Sequence, residues 1–332
     1  MRSDDYTALF ERIENNGLDT RLHWASGPRA GCSEPWSGSD EDVPGTLVRG
    51  LGNACFESGQ GCVFAERLMG RPRLVILGAG HVGAATAHLG ARLGFRVVVV
   101  DDRPEFANAE QLPDADLIVC DSFENALDEL PSYANSYFVI VTRGHLMDQY
   151  CAERVLRMPF EYVGMMGSRR KVATVRQRMV ANGFTEAEFD QIHAPIGLPL
   201  GGQEPFALAV SICAELIRVR SSGNTHAFDP DVQARIVALA AEPGRPAALA
   251  TIIGHGGSTP RDTGARMLVT QDGLVVGSVG GGAVESAVIT QCRELLATGG
   301  STALIDYDMT DAADGRLGMI CGGRARLLLE SL

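Results

Sequence analysis

Leu74-Val-Ile-Leu-Gly78-Ala-Gly80-His-Val-Gly83 joins a short apolar run to the spacing Gly-x-Gly-x-x-Gly. A helix of small residues is predicted from Val82 to Leu93, and Arg96-Val-Val-Val-Val100-Asp101 follows as a second apolar run ending on an acid. Strand, glycine turn, helix, strand and acid is the order that a dinucleotide-binding βαβ unit needs. In that reading Gly78 makes the tight turn, Gly80 lets backbone approach a pyrophosphate, and Gly83 lets helix and strand pack closely. The start of the helix offers bare N–H groups and a positive dipole end to phosphates. Asp101 is the candidate for ribose hydroxyls. A fold does not determine a function, so the same turn can also be scaffold alone.

Alternation continues outward from this unit. Strands are predicted at 73–77, 96–100, 116–120, 137–141 and 161–166, with helices at about 82–93, 122–129 and 146–157. Such alternation implies a parallel sheet covered on both faces, a Rossmann-type domain spanning residues 73–220. Ligands of these sheets sit beyond the carboxyl ends of the strands. Three loops fall there: Gly78 to Gly83, Thr142-Arg-Gly-His145, and Gly164 to Lys171. In the third, Ser168, Arg169, Arg170 and Lys171 open a helix that runs to about Asn182. Cations at a helix start are locally unfavourable unless an anion sits among them. Ser168, Arg169 and Arg170 are therefore candidate phosphate or carboxylate ligands, weighed equally against a solvated basic face. Thr185-Glu-Ala-Glu188 reads as a capping box. His193-Ala-Pro-Ile-Gly197 reads as a constrained loop in which His193 is a ligand or proton carrier or, the reading preferred, a hydrogen-bonding anchor of the loop.

Residues 221–230 form a polar linker, and a smaller α/β domain follows over 231–332. The glycine-rich loop Gly254 to Arg261 contributes Ser258, Thr259 and Arg261, two hydroxyls and a guanidinium suited to an oxyanion. Two strands flank the hairpin signal Asp272-Gly273, and the second runs into Gly280-Gly281-Gly282, which opens a helix over 283–298. This is a second place where bare N–H groups can wrap an anion. Cys321, in Leu317-Gly-Met-Ile-Cys321-Gly-Gly-Arg324, precedes a last strand. It is read as an accessible thiol beside cations, a candidate nucleophile and soft-metal ligand.

At 332 residues, with 45% hydrophobic and 21% charged residues, the chain is long enough for two domains with real cores. Its net charge of −12 argues against a nonspecific nucleic-acid binder. No run approaches the ~20 apolar residues of a membrane span, and no secretory h-region follows Met1, so a cytoplasmic protein is expected. None of the eight cysteines is spaced as CxxC, which argues against a structural zinc site. Cys120, ending an apolar strand, and Cys213, inside an apolar helix, read as small core residues. Residues 1–72 offer a short amphipathic helix at Tyr6 to Asn15, a loop at Ser26 to Gly45 and a strand at Gly61 to Arg67. No chemistry is legible there.

Several motifs together resemble the XdhC/CoxI family, accessory proteins of molybdenum hydroxylases such as xanthine dehydrogenase. In the smaller domain these are Gly257-Ser-Thr-Pro-Arg261, Gly264-Ala-Arg-Met267, Gly277-Ser-Val-Gly280-Gly-Gly282 and Gly318-Met-Ile-Cys321-Gly-Gly-Arg324. In the Rossmann-type domain they are Gly78 to Gly83, Tyr162 to Lys171 and His193 to Leu198. Here the Rossmann-type domain precedes the short domain, the reverse of the family's usual order. Ala283 stands where the family's glycine triplet commonly continues with cysteine, so any thiol role falls to Cys321. The resemblance implies a protein that binds the molybdenum cofactor (molybdopterin) and assists its sulfuration or insertion. It implies a client hydroxylase and a sulfur donor of the cysteine desulfurase kind, and a homo-oligomer is expected. The glycine triplet with Asp101 sustains an alternative: an NAD(P)-dependent oxidoreductase, or a module that senses nucleotide.

Overall fold

The computed structural model describes residues 3–36, 53–58, 61–222, 226–242, 244–257, 263–308 and 323–332. The chain divides into two compact units. One comprises Asn15–Gly17 and Gly70–Gly223; the other comprises Met1–Glu14, Leu18–Met69 and Asn224–Leu332.

The N-terminal stretch holds α1 (Ser3–Asn16), β1 (Leu18–Trp24), β2 (Ser33–Pro35), β3 (Ala54–Ser58) and β4 (Gly61–Met69). Apolar residues on α1 recur at Tyr6, Leu9, Phe10 and Ile13, the spacing of one helix face, and all four are buried.

The Rossmann-type unit follows as β5 (Arg73–Leu77), α2 (His81–Arg92), β6 (Arg96–Asp101), β7 (Leu117–Cys120), α3 (Phe123–Glu129), β8 (Ser136–Ile140), α4 (His145–Val155), β9 (Tyr162–Met165), α5 (Arg169–Ala181), α6 (Glu186–Phe189), β10 (Ile192–His193) and α7 (Pro205–Ser222). Its parallel sheet runs β10-β9-β8-β5-β6-β7. Both faces are buried: Leu74, Ile76, Val97 and Val99 enter one core, and Val75, Leu77, Val98 and Val100 the other. That is why these strands read as continuous apolar runs rather than as alternation. Chain order reverses between β5 and β8, which makes their carboxyl ends the switch point of the sheet. Cys120 departs from its expected burial. It ends the edge strand β7 and is exposed, because an edge strand lacks a neighbour on one side.

The remainder contains β11 (His226–Ala227), α8 (Pro230–Ala240), β12 (Ala247–Gly257), β13 (Arg266–Thr270), β14 (Val275–Gly277), α9 (Ala283–Thr298), β15 (Thr302–Asp308) and β16 (Gly323–Ser331). β14-β13-β12-β16-β15 form an antiparallel sheet, with α9 against one face. The N-terminal strands form a second sheet, β11-β4-β1-β2, with β3 also paired to β4. α1 packs its apolar face on Val232, Ile236 and Leu239 of α8 and on Leu249 and Leu268 of the antiparallel sheet. Phe64 and Cys62 meet Ile253 and Leu328. α1 and β4, unassigned to any function on sequence grounds, therefore share cores with the C-terminal part of the chain.

Candidate functional site

The three glycines of the first turn serve different ends. Gly78 has φ +118°, and a Cβ there would lie 2.5 Å from the Val141 carbonyl oxygen. A Cβ on Gly83 would lie 1.9 Å from the Gly78 carbonyl oxygen. The fold demands both glycines. Gly80 has φ −64° and ψ −177°, and a Cβ there would meet nothing within 4 Å. Neither backbone nor packing requires glycine at position 80, so the space beside it is open to a ligand. No side chain caps α2, and its first turn carries no acid, which leaves its N–H groups facing an anion-friendly dipole end.

Asp101 is placed at this turn but is engaged. It is 1% exposed. Its carboxylate accepts from the Ala79 N–H at 2.7 Å and from Arg103 Nε and Nη2, both at 2.8 Å. Burial disfavours its charge, yet the hydrogen bonds from Arg103 and Ala79 prevail and hold its pKa below the ordinary value. The Arg103 guanidinium stacks 3.9 Å from the Phe106 ring centroid. Asp101 thus ties the glycine turn to the end of β6, and any ribose hydroxyl would compete with Arg103 for it.

The loops after β8 and β9 bound a cleft of about 480 Å³ lined by Arg143, Gly144, Ser168, Arg170, Lys171 and Thr174. Ser168 caps α5, its Oγ accepting from the Lys171 N–H at 3.3 Å. Lys171 Nζ pairs with the fully buried Asp148, which also accepts from Thr142 Oγ1 at 2.7 Å. Arg143 pairs with Asp102 at 3.0 Å. Arg169 and Arg170 are exposed on the first turn of α5, and Arg170 faces the cleft. The cation run therefore divides: Lys171 is neutralised within the fold, and Arg170 is directed toward whatever enters.

His193 is held by Glu215, Nδ1 to Oε1 at 3.1 Å. Glu215 also accepts from Tyr162 at 2.7 Å, the Gly197 N–H at 2.8 Å and Arg218 at 2.9 Å. Burial opposes its charge, but the hydrogen bonds from His193, Tyr162 and Gly197 outweigh that and bring its pKa down to about 2.

In the other unit, β12 and β16 bring two sequence motifs side by side: Gly256 stands opposite Arg324, and Gly257 opposite Gly323. A register shift between Ile252 and Gly254 separates this glycine end from the rest of the pairing. A cleft of about 590 Å³ opens here, lined by Cys55, Glu57, His255, Asp306, Arg324 and Arg326 among others. Arg326 pairs with Asp306 and Glu57, each at 2.7 Å. Gly280 and Gly282 have φ +152° and +55°. A Cβ on Gly281 or Gly282 would meet nothing within 4 Å, and no side chain caps α9. Glu285, in the first turn of α9, accepts from Ser278 at 2.6 Å and already supplies a negative charge there. Ser258, Thr259, Arg261 and Cys321 lie outside the described residues.

Sequence reasoning missed Cys55, whose strand carries no motif, and the buried set His23, Glu66, Arg266 and Glu330. Charged residues inside otherwise apolar strands were the available signal for that set.

Residues 74–216 match the family described as the XdhC Rossmann domain, and residues 240–308 match the XdhC and CoxI family. An uncharacterized protein of Escherichia coli (strain K12), YqeB, is 33% identical over 153 residues, 46% of this chain and 28% of that protein. A Bacillus subtilis (strain 168) protein, named as a probable xanthine dehydrogenase subunit, is 29% identical over 158 residues, 48% of this chain and 46% of that protein. The chain thus spans less than half the length of these curated relatives. A crystal structure titled as a xanthine dehydrogenase from Bacillus halodurans is 22% identical, covering 66% of this chain and 65% of that one, with a TM-score of 0.46.

Proposed function

We propose, from the premise that this chain belongs to the XdhC and CoxI family, that it is an accessory protein of a xanthine dehydrogenase-type molybdenum hydroxylase. In this reading it holds the molybdenum cofactor and assists its sulfuration or insertion. The observation that carries the reading is the pairing of Gly256 and Gly257 with Arg324 and Gly323 at the mouth of a cleft. Two family motifs distant in sequence meet there, and the residues beside them suit an anionic ligand with a soft centre. Glycine backbone at 254–257 gives close approach, Arg324 and His255 give polar contacts, and Cys55 gives a thiol. Gly281 and Gly282 leave an open cradle that a Cβ would fill, suited to a phosphate, with the Glu285 charge acting against it. When bound, the cofactor would supply the oxo- and sulfido-metal chemistry; this chain's part is to bind, orient and shield it. Ser258, Thr259, Arg261 and Cys321 belong to the same proposal on sequence grounds. The client hydroxylase, a sulfur donor, self-association and a cytoplasmic location are parts of it too.

A second reading is favoured by Gly80. A glycine that the fold does not require, at the start of an uncapped helix, fits a nucleotide phosphate of NAD(P) or another nucleotide. The Rossmann-type unit would then sense the nucleotide or take part in hydride transfer.

Anaerobic purification followed by analysis of the bound small molecules separates the two readings. Recovered molybdopterin supports the accessory role, and nicotinamide dinucleotide alone supports the second. Client activation reconstituted with Cys321→Ala at equal folded concentration tests the thiol: lost activation is expected, and activation equal to wild type would remove its chemical role.

A further inference from the structure

Cys55 and Cys62 lie on adjacent antiparallel strands, and the β3–β4 register makes them diagonal neighbours: Cys55 stands opposite Phe64, and Glu57 opposite Cys62. Side chains two residues apart on a strand share a face, so both thiols project to the same side of the hairpin. Both are free; Cys62 is buried and Cys55 partly so. They sit among Phe64, Ile253 and Leu328, and Cys55 also lines the cleft of about 590 Å³. We propose that Cys55 and Cys62 form a two-thiolate site for a soft monovalent cation of the cuprous class, reached through the cleft that Cys55 lines.

Two observations carry this beyond a pair of core cysteines. The first is spacing. Diagonal partners have Cα atoms about 7–8 Å apart, beyond the roughly 4.4–6.8 Å that a disulfide accepts, so the thiols do not close on each other without backbone movement. A metal between them spans two bonds of about 2.3 Å instead of one S–S bond of about 2.05 Å. The second is charge. Arg326 lines the same cleft as Cys55. It also pairs with Asp306 and Glu57, which hold it in place. A cation on two thiolates leaves a net single negative charge, which the cleft meets with Arg324 and Arg326 beside the carboxylates of Glu57 and Asp306. Two soft thiolates suit a cuprous ion.

Binding is an exchange without redox change. The cation bonds both sulfurs, and the thiol protons they carry leave to solvent through the cleft. The site shares Cys55 and the cleft with the cofactor site proposed above, but its test needs neither a client nor a pterin.

The test is anaerobic titration of the whole chain with cuprous ion alone, buffered by a competing chelator. One tight cation per chain is expected, with at least one proton released per cation in weakly buffered solution. Cys55→Ser and Cys62→Ser should each weaken binding at least tenfold, whereas Cys32→Ser and Cys120→Ser, both at exposed positions, should not. If Cys62→Ser fails to fold, Cys55→Ser, at a half-buried site, carries the test. Undiminished binding by a folded Cys55→Ser, absence of tight binding by wild type, or loss confined to Cys321→Ala would overturn the proposal.

Discussion

His23 Nε2 lies 3.2 Å from Glu66 Oε2, and both residues are buried between the N-terminal strands and the C-terminal sheet. Arg266 pairs with the other oxygen of Glu66, and Glu330 lies 3.9 Å from His23 Nδ1 while accepting from Tyr6 at 3.0 Å. Two carboxylates, a guanidinium and an imidazolium cancel in charge only while His23 is protonated. Burial alone would lower the His23 pKa, but Glu330 and Glu66 raise it. A raised histidine pKa stabilises the folded state fully below the unfolded value near 6.5, and that contribution is lost as pH rises through the folded value. Thermal stability of this unit should therefore fall on the alkaline side. His23→Asn should flatten that limb and cost about 3 kcal/mol or more at neutral pH, because the carboxylates lose a partner. Melting curves across pH for wild type and variant check this; identical alkaline limbs would show that His23 is neutral throughout.

The same network sets an acid limb. Glu330 is held down to about 2 and Glu66 below its usual range, because His23, Tyr6 and Arg266 outweigh burial. Depressed carboxyl values contribute stability above the ordinary carboxyl range, lost as pH falls through the folded values. Glu330→Gln should lessen the acid sensitivity measured by denaturant unfolding between pH 5 and about 2.

Gly80 and Gly83 should separate stability from binding. Gly83→Ala places a Cβ 1.9 Å from a carbonyl oxygen and should destabilise by about 3 kcal/mol, at the top of the overpacking range. Gly80→Ala meets nothing within 4 Å and should change stability by less than about 1 kcal/mol. If the turn holds a nucleotide, Gly80→Ala should weaken it at least tenfold (about 1.4 kcal/mol) in titrations with NAD(H) and NADP(H). Unchanged affinity would assign the turn to scaffold.

Lys171 and Arg170 are adjacent in sequence but should behave differently. Lys171→Met strands the buried Asp148 and should cost about 3–5 kcal/mol in denaturant unfolding. Arg170→Ala should leave stability within about 0.5 kcal/mol. It should also weaken inorganic phosphate or nucleotide in the 480 Å³ cleft, measured by calorimetry.

Glu215 should be a structural carboxylate. With its pKa near 2 against a usual 4.5, it contributes up to about 3 kcal/mol above that usual value, lost as pH falls toward 2. Glu215→Gln should loosen the His193–Gly197 loop, seen as faster amide exchange at Gly197, whose N–H donates to Glu215. Unaltered exchange there would remove the anchor role.

Local chemistry along the chain determined the Rossmann-type unit. Val97 to Val100 are buried on both faces, so an uninterrupted apolar run identified a parallel strand, and Gly78 and Gly83 are forced by sterics inside one turn. Thr185 to Glu188 forms the reciprocal cap that its spacing predicts. The family resemblance rested on such contiguous motifs. What only tertiary structure decided depends on pairing between distant residues. Asp101 reads as a free ribose ligand until Arg103 folds back on it. Lys171 reads as one of three equivalent cations until Asp148, buried on another helix, claims it. Tyr6, His23 and Glu66 carry no motif because their role lies in burial, and they acquire meaning only against Glu330 and Arg266, far along the chain. Hydrophobic periodicity announces an element's own face but not the face it meets, so the union of the two termini and the Cys55–Cys62 pair at their cleft became visible only in the folded chain.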